Sequence, residues 1–289
     1  MDTSTSLQSD QPEPVFNWHR EDSEQRFGFT GGRFTDTNRN FTFLVALVIT
    51  CVLYAGFIFV PELLPSFAPL ADKFTGRGIT PYPILFLTIW GSVILMIKSR
   101  KIRFQYRALD LAVVPQDPDL FLTPATAKAV TERVEQMADD YRRSLLLNRI
   151  HVALSNLKNV GQVSDVASIL NNQSSADEDQ IAGSYTLING FIWAIPVLGF
   201  IGTVLGLGQA MAGFGEVLSS GADMTAIRTA LQTVTGGLST AFDTTLIGLV
   251  GALFLQMWTT ISRREEARLL DSCADYCQTY VLAKLRIIA

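Results

Sequence analysis

Apolar residues in this chain are concentrated in four long blocks. The blocks cover residues 41–60, 79–97, 187–212 and 229–262, and Asp243 is the one acidic or basic side chain among them. A helix of about 20 apolar residues crosses the roughly 30 Å hydrocarbon core of a bilayer. The pattern therefore predicts an all-α, polytopic membrane protein with four transmembrane helices. A buried core helix is the alternative for any single block, and the presence of four such blocks disfavours it.

The composition agrees with a membrane location. Of the 289 residues, 48% are hydrophobic and 17% are charged, whereas a soluble domain averages about 25% charged residues. The net charge of −4 disfavours nucleic acid as a partner. Three cysteines and two histidines are too few for a disulfide framework or a multi-histidine site, so no metal or cofactor is expected. The sequence has no phosphate loop, nucleophile elbow or zinc motif, so the chain is not expected to be an enzyme.

The positions of lysine and arginine predict the orientation in the membrane. Basic residues are dense in 98–107 and in 263–268, directly after the second and fourth blocks. The connection between the first two blocks has only Lys73 and Arg77 as basic residues. Cytoplasmic segments carry the excess of lysine and arginine. Both termini and the region 98–186 are therefore expected in the cytoplasm.

These patterns divide the chain into five segments. They are a cytoplasmic leader over 1–40, expected to be disordered, a transmembrane hairpin over 41–97, a helical cytoplasmic insert over 98–183, a second transmembrane core over 184–262 and a cytoplasmic C-terminal helix over 263–289.

Helix signals are clear in the insert and in the tail. Thr123 followed by Pro124 is a hydroxyl cap with proline at the first helical position. Apolar residues then recur at helical spacing from Val130 to Leu145, and the polar stretch 171–180 predicts a break before the third span. The tail continues the fourth span with an apolar face, listed in chain order as Leu270, Cys273, Cys277, Val281, Leu285 and Ile288.

The third block carries small residues on one face. Gly199, Gly202 and Gly206 recur at spacings of three and four, beside Thr203 and after Pro196. Small residues allow a neighbouring helix to approach closely, so plain helix packing accounts for the glycines.

The fourth block adds hydroxyl groups to such a face. Its stripe consists of Thr233, Gly237, Thr240, Thr244, Gly248 and Gly251, and Asp243 stands beside it. A carboxylate inside a membrane is costly unless it faces protein, a partner or water. The stripe therefore favours an ion pathway or a socket for a further polar helix. The alternative is that the hydroxyls bond only to their own backbone.

These residues carry a resemblance. The run IPVLGFIGTVLGLGQAM at 195–211, followed by ALQTVTGGLSTAF at 230–242, resembles the MotA/TolQ/ExbB proton-channel family. Members have a P-x-x-G-x-x-G-T-V-x-G run on one inner helix and an A-L-x-x-T-x-x-G-L run that opens the next. The resemblance covers about 184–262. The four-span layout is similar to the flagellar stator branch, whereas the glycine-threonine run is closer to TolQ and ExbB.

The resemblance implies a bacterial inner-membrane subunit. Five copies would form a homopentamer around the single-span helices of a dimeric partner of the MotB/TolR/ExbD kind. The titrating carboxylate belongs to the partner in this family, and the third and fourth spans line the pore. Thr203 matches the pore threonine of the first pore helix, and Pro196 and Gly199 match the proline-glycine bend of the stator branch. The transported cation is expected to be H⁺, with Na⁺ as an alternative.

The second pore helix departs from the family pattern. The threonine of A-L-x-x-T falls on Val234, between Thr233 and Thr235. Asp243 stands where TolQ and ExbB have a proline. The chain is therefore expected to form a divergent branch, and Asp243 is a candidate ionisable group of its own.

The predicted function is an ion-channel subunit that couples the ion-motive force to mechanical work. A secondary transporter is one alternative, but it predicts inverted repeats and several polar groups at mid-membrane, where only Asp243 is visible. A membrane scaffold without ion conduction is the other alternative, because small residues would then serve packing alone. The sequence leaves open the cation, the partner and the process that is driven.

Overall fold

The computed structural model describes residues 16–111, 113–114, 121–155, 157, 162–219 and 224–286. Within these ranges the regular elements are helices, and strand pairing is limited to two isolated bridges. The α-helices are α1 (Trp18–Glu21), α2 (Ser23–Arg26), α3 (Arg39–Leu63), α4 (Ala68–Thr75), α5 (Pro81–Asp110), α6 (Pro124–Met137), α7 (Leu145–Ser155), α8 (Val163–Gly183), α9 (Thr186–Ser219) and α10 (Met224–Tyr276). Short 3₁₀ turns cover Pro65–Phe67 and Tyr141–Arg143, and a π-helical turn covers Cys277–Leu282.

Four helical stretches are long and apolar enough to cross a membrane. They are Arg39–Pro61, Pro81–Asp110, Val163–Ala212 and Ile227–Leu282. The side chain of Asn38 caps the first of them by accepting from the backbone N–H groups of Asn40 and Phe41. The prediction of an all-α fold with four transmembrane helices is confirmed, and the chain is a multi-pass membrane protein.

The chain forms two compact units, each made of several segments. The membrane unit comprises Thr37–Ser99 and Ala182–Arg264. The polar unit comprises Met1–Asp36, Arg100–Ile181 and Glu265–Ala289. Along the chain, segments of the polar unit and of the membrane unit alternate in the order that the five predicted segments have. The boundaries of the individual segments stay predictions.

Residues 16–36 are folded in the polar unit, so the prediction that the whole leader is disordered is wrong for this part. Phe16 and Trp18 are each 2% exposed, and their rings lie 4.2 and 4.7 Å from the ring of Phe104. Lys101 Nζ lies 2.7 Å from a carboxylate oxygen of Glu24, and both side chains are buried. The aromatic cluster and this ion pair hold the segment in place. Residues 1–15 lie outside the described residues.

Helix α6 begins where the sequence predicts. Thr123 and Thr126 form a capping box at its start, as expected from the Thr123–Pro124 pair. The helix ends at Met137, before the apolar spacing reaches Leu145. The backbone N–H of Phe16 donates to the carbonyl of Met137 at 2.9 Å, and the chain is extended at Ala138. The apolar spacing therefore runs across two helices and a turn.

The predicted break at 171–180 is wrong, because α8 continues through it from Val163 to Gly183. Asp177 in this stretch is 1% exposed and accepts from Arg149 Nε at 2.8 Å and from Gln173 Nε2 at 2.8 Å. A polar stretch thus remains helical because its central carboxylate is paired on both oxygens.

The predicted continuation of the fourth span into the tail is confirmed. Helix α10 has no interruption over its 53 residues. The apolar face of the tail is buried at the five described positions, Leu270, Cys273, Cys277, Val281 and Leu285. Ile288 lies outside the described residues.

Candidate functional site

Helices α9 and α10 meet through glycine with almost no intervening side chain. A Cβ atom added to Gly206 would lie 2.9 Å from the carbonyl oxygen of Gly237, and one added to Gly237 would lie 2.6 Å from the carbonyl oxygen of Gly206. Both distances are shorter than a carbon–oxygen contact allows. The two backbones therefore touch at this level, as small residues in membrane helices permit.

The same contact continues along both helices. A Cβ atom on Gly248 would lie 3.0 Å from the carbonyl oxygen of Ile195, and one on Gly199 would lie 3.0 Å from that of Thr244. At Gly202 a Cβ atom would lie 2.6 Å from the hydroxyls of both Thr244 and Thr80. These glycines, with Gly206 and Gly237, form what we call the glycine seam. The seam is an intramolecular packing surface, as the simpler sequence interpretation proposes.

Helix α9 continues through Pro196 without a break. Proline has no N–H, so the backbone carbonyl one turn earlier lacks its usual donor. Pro196 is half-buried and lies one turn from the start of the glycine seam.

Thr203 is the predicted pathway residue with the richest polar contacts. Its hydroxyl donates to the carbonyl of Ala241 at 3.0 Å and also contacts the hydroxyl of Thr245. The hydroxyl of Thr245 also lies 3.1 Å from the carbonyl oxygen of Ala241, and its one proton serves either that oxygen or Thr203. The sequence analysis missed Thr245. Its place between the small residues Ala241 and Gly248, at steps of four and three, is the signal that would have found it.

Thr244 lies inside the contact between α9 and α10. Its side chain is fully buried between the helices, and its hydroxyl donates to the carbonyl of Ala241 at 3.1 Å. The stripe read from the sequence placed it with Thr240, but the helix turns it toward Gly199 and Gly202. Thr244 therefore packs against the glycine seam, and its predicted place in the ion pathway stays a prediction.

Thr233 and Thr240 lie on the more open side of α10. The hydroxyl of Thr233 donates to the carbonyl of Thr229 and that of Thr240 to the carbonyl of Gly236, each at 3.1 Å. Both bonds run to the residue four positions earlier in the same helix, which is the local bonding that the sequence left open as an alternative. A hydroxyl that donates in this way keeps its oxygen lone pairs available to a passing cation or water.

Asp243 is paired with two cations from the first hairpin. Its carboxylate oxygens lie 3.4 Å from Lys73 Nζ and 3.2 Å from Arg77 Nε. The carboxylate thus faces protein, one of the environments expected for it. Neither Lys73 nor Arg77 is singled out by a local pattern, because they are 170 and 166 residues away in sequence.

The tail cysteines are packed side chains. Cys273 and Cys277 are 1% and 3% exposed. Burial raises the pKa of each thiol to about 12. In the part of the chain that the structure describes, no three His, Cys, Asp or Glu side chains are grouped so as to hold a metal ion.

Residues 139–274 match the family model of the MotA/TolQ/ExbB proton channel family. Through this segment, less than half of its length, the chain is similar to that family. The match begins before α7, covers α8 and α9 completely and ends within α10, so it contains the whole glycine seam between α9 and α10. Comparisons with curated proteins and with solved structures returned no match. The similarity to the MotA/TolQ/ExbB family agrees with the glycine-threonine run and supports a proton-channel subunit.

Proposed function

We propose that this chain is the ion-conducting subunit of an inner-membrane motor that turns the ion-motive force into mechanical work. The observation that carries the proposal is the family segment at 139–274, which contains the packed hairpin of α9 and α10. Five copies form a ring, and the hairpin of each copy lines its centre. Both termini and the insert lie in the cytoplasm, as the basic runs after the second and fourth spans indicate.

The ring encloses a dimeric partner of the MotB/TolR/ExbD kind, whose single-span helices carry the titrating carboxylate. Protonation of that carboxylate removes the cost of holding a charge in the membrane, so the partner helix can move to a new position within the ring. The membrane potential supplies about 2.3 kcal/mol per charge per 100 mV for this step. The cation is H⁺, and hydroxyl oxygens are also compatible with Na⁺.

The pathway on this chain is entered past the hydroxyls that remain accessible. These belong to Thr203, Thr233 and Thr240. Thr203 is partly exposed beside the seam, and Thr233 and Thr240 lie on the open side of α10. Thr244 supports the pathway only by fixing α9 against α10.

A flux measurement on the reconstituted complex tests the proposal. The chain and a candidate single-span partner with a carboxylate in its membrane helix are placed in liposomes with an internal pH-sensitive dye. We expect potential-driven proton entry, reduced at least tenfold in the Thr203→Val/Thr240→Val variant, with the same oligomer on native electrophoresis. Undiminished flux in this variant, or no flux with any candidate single-span partner, contradicts the proposal.

A scaffold without conduction is the second candidate, and the glycine seam favours it. The glycines are used within one chain, so packing alone explains them. An assembled ring with no partner helix at its centre and no flux above that of empty liposomes identifies the scaffold.

A further inference from the structure

Four charged side chains meet where the hairpin of α3 and α5 contacts α10. Asp243 lies within 3.4 Å of Lys73 and 3.2 Å of Arg77, and Asp72 lies 3.8 Å from Arg77. We call these residues the Asp243 cluster. Two cations face two carboxylates, so the charges balance.

Exposure changes across the cluster in one direction. Asp72 and Lys73 are 63% and 45% exposed, whereas Arg77 and Asp243 are 22% and 15% exposed. The cluster therefore opens outward at α4 and closes against α10. Such a gradient suits a position where water meets protein, since charges buried in hydrocarbon are strongly disfavoured.

Helix lengths give the depth of the cluster in the bilayer. Asp243 and Arg263 are 20 residues apart in α10, which is about 30 Å at the rise of an α-helix. Lys98 and Arg263 share a level, because they lie 4.4 and 4.8 Å from the ring of Tyr185. The hydrocarbon core is also about 30 Å thick. The basic residues around Tyr185 and the Asp243 cluster thus lie one core thickness apart.

Helix α5 gives the same separation independently. Lys98 lies at the Tyr185 level, and Thr80, directly before α5, lies beside Thr244 across Gly202. Lys98 and Thr80 are 18 residues apart, or about 27 Å in a helix.

The exposed face of α10 changes character at the level of the cluster. On the side toward Arg263, every exposed residue from 242 to 254 is apolar. These residues are Phe242, Leu246, Leu249, Val250, Leu253 and Phe254. On the other side, exposed polar residues (Thr225, Arg228, Thr229, Gln232, Thr233 and Thr235) alternate with exposed apolar ones (Met224, Ile227, Leu231 and Leu238). A lipid-facing surface is apolar and a water-facing one is mixed, so the boundary between them falls at Asp243.

We propose that the Asp243 cluster lies at the membrane–water interface and anchors the first transmembrane hairpin to channel helix α10. Asp243 is a positioning residue, and its carboxylate serves the ion pairs with Lys73 and Arg77 instead of binding the transported cation. This inference goes beyond the proposed function, because the anchor holds whether or not the hairpin conducts.

A cysteine at Thr80 reports on the anchor. Thr80 is 5% exposed and packs against Gly202 and Thr244 next to the cluster. In the full-length Cys51→Ser/Thr80→Cys protein in membranes, we expect slow reaction with a small water-soluble maleimide. Asp243→Asn and Arg77→Gln each raise the rate at least tenfold, whereas Asp243→Glu keeps it low. The exposed Asp72→Asn is the matched control and leaves the rate within about twofold.

Exchange of the two charges separates an ion pair from a simple need for a carboxylate. The variant Arg77→Asp/Asp243→Arg should restore protection of the thiol at position 80. Equal rates in all variants overturn the anchor. Loss of protection in Asp243→Asn that neither Asp243→Glu nor the exchange restores overturns the ion pairing. Neither result depends on proton flux or on a partner, so failure here is distinct from failure of the proposed function.

The interfacial depth has its own measurement, which does not require the cluster variants to fold. Single cysteines at Gln232, Thr233 and Thr235 sample α10 about two to three turns before the cluster, and those at Leu249, Val250 and Leu253 sample the apolar face after it. With a membrane-impermeant maleimide on both sides of opened vesicles, we expect labelling in the first set and little in the second. Labelling of the second set, or of neither set, overturns the interfacial position.

Discussion

The membrane unit and the polar unit hold their helices together by different contacts. In the membrane unit, backbones touch at Gly206 and Gly237, and Thr203 bonds across to α10. The polar unit has side chains in its core, including Trp18 and the buried pair of Arg149 and Asp177. Helices in lipid gain little from hydrophobic burial, so close approach and hydrogen bonds stabilise them. Helices in water gain from burial, and a buried charge then needs a complete set of partners.

Removal of one partner from the buried pair should have the largest effect. Arg149→Met leaves Asp177 buried with only Gln173 as a donor. We expect a loss of about 3–5 kcal/mol in the free energy of unfolding, because an uncompensated buried charge remains. Thermal unfolding of the purified protein, followed by circular dichroism, measures the change.

The control replaces both charges. Arg149→Met/Asp177→Leu should recover most of the lost stability, since no unpaired charge is left. A double variant that is less stable than Arg149→Met would show that the pair does not explain the effect.

A side chain added in the glycine seam should have the next largest effect. It tests the difference between the two units, because an added apolar group should destabilise helices that pack through backbone contact. Gly206→Val places a Cβ atom against the backbone of Gly237. We expect a loss of about 1–3 kcal/mol from overpacking, measured as a lower unfolding temperature in detergent. Gly208→Val is the matched control, because no atom lies within 4 Å of a Cβ at that position. Equal effects at the two positions would be evidence against the seam.

Removal of the hydroxyl of Thr245 should have a smaller effect. Thr245→Val loses its contact with Thr203 while the size of the side chain is kept. Hydrogen bonds between membrane helices contribute about 0.6 kcal/mol on average and at most about 1.7, so a modest fall in stability is expected. Thr233→Val, whose hydroxyl bonds only within its own helix, should change the unfolding temperature less. A reversed order of the two variants would contradict the prediction.

The thiols of the polar unit should show no reaction at all. Burial raises the pKa of Cys273 and Cys277 to about 12. A raised pKa keeps a thiol protonated as the pH increases, so both groups stay unreactive from pH 7 to pH 9. Alkylation by iodoacetamide, followed by mass spectrometry, should modify them only after denaturation. Modification of the native protein at pH 9 would show that the core opens.

The sequence was sufficient to predict the spans and the continuation of α10, because uncharged runs and helical spacing are local properties. It was not sufficient for the leader, where Phe16 and Trp18 are embedded in polar residues and are stabilised by Phe104, which is distant in the chain. It failed at Asp177 for the same reason, since Arg149 precedes it by 28 residues.

The candidate site was predictable in part. The glycines at 199, 202 and 206 and the hydroxyl of Thr203 are marked by their spacing. The orientation of Thr244 is not marked in this way. Steps of three and four place it on the stripe, but they do not show whether it faces α9 or the open side of α10. The partners of Asp243 come from another hairpin, and only the folded chain brings them together.

Because α10 is uninterrupted, the number of residues between its membrane part and its tail is constrained. Each residue turns an α-helix by about 100°. One residue inserted between Gly248 and Arg263 would therefore rotate Leu270 and Cys273 out of phase with Gly248. Seven inserted residues would restore the phase to within about 20°, while lengthening the helix by about 10 Å. The number of residues in this stretch is therefore constrained as well as their identity, and only insertions close to whole heptads keep the buried faces at the two ends of α10 in phase.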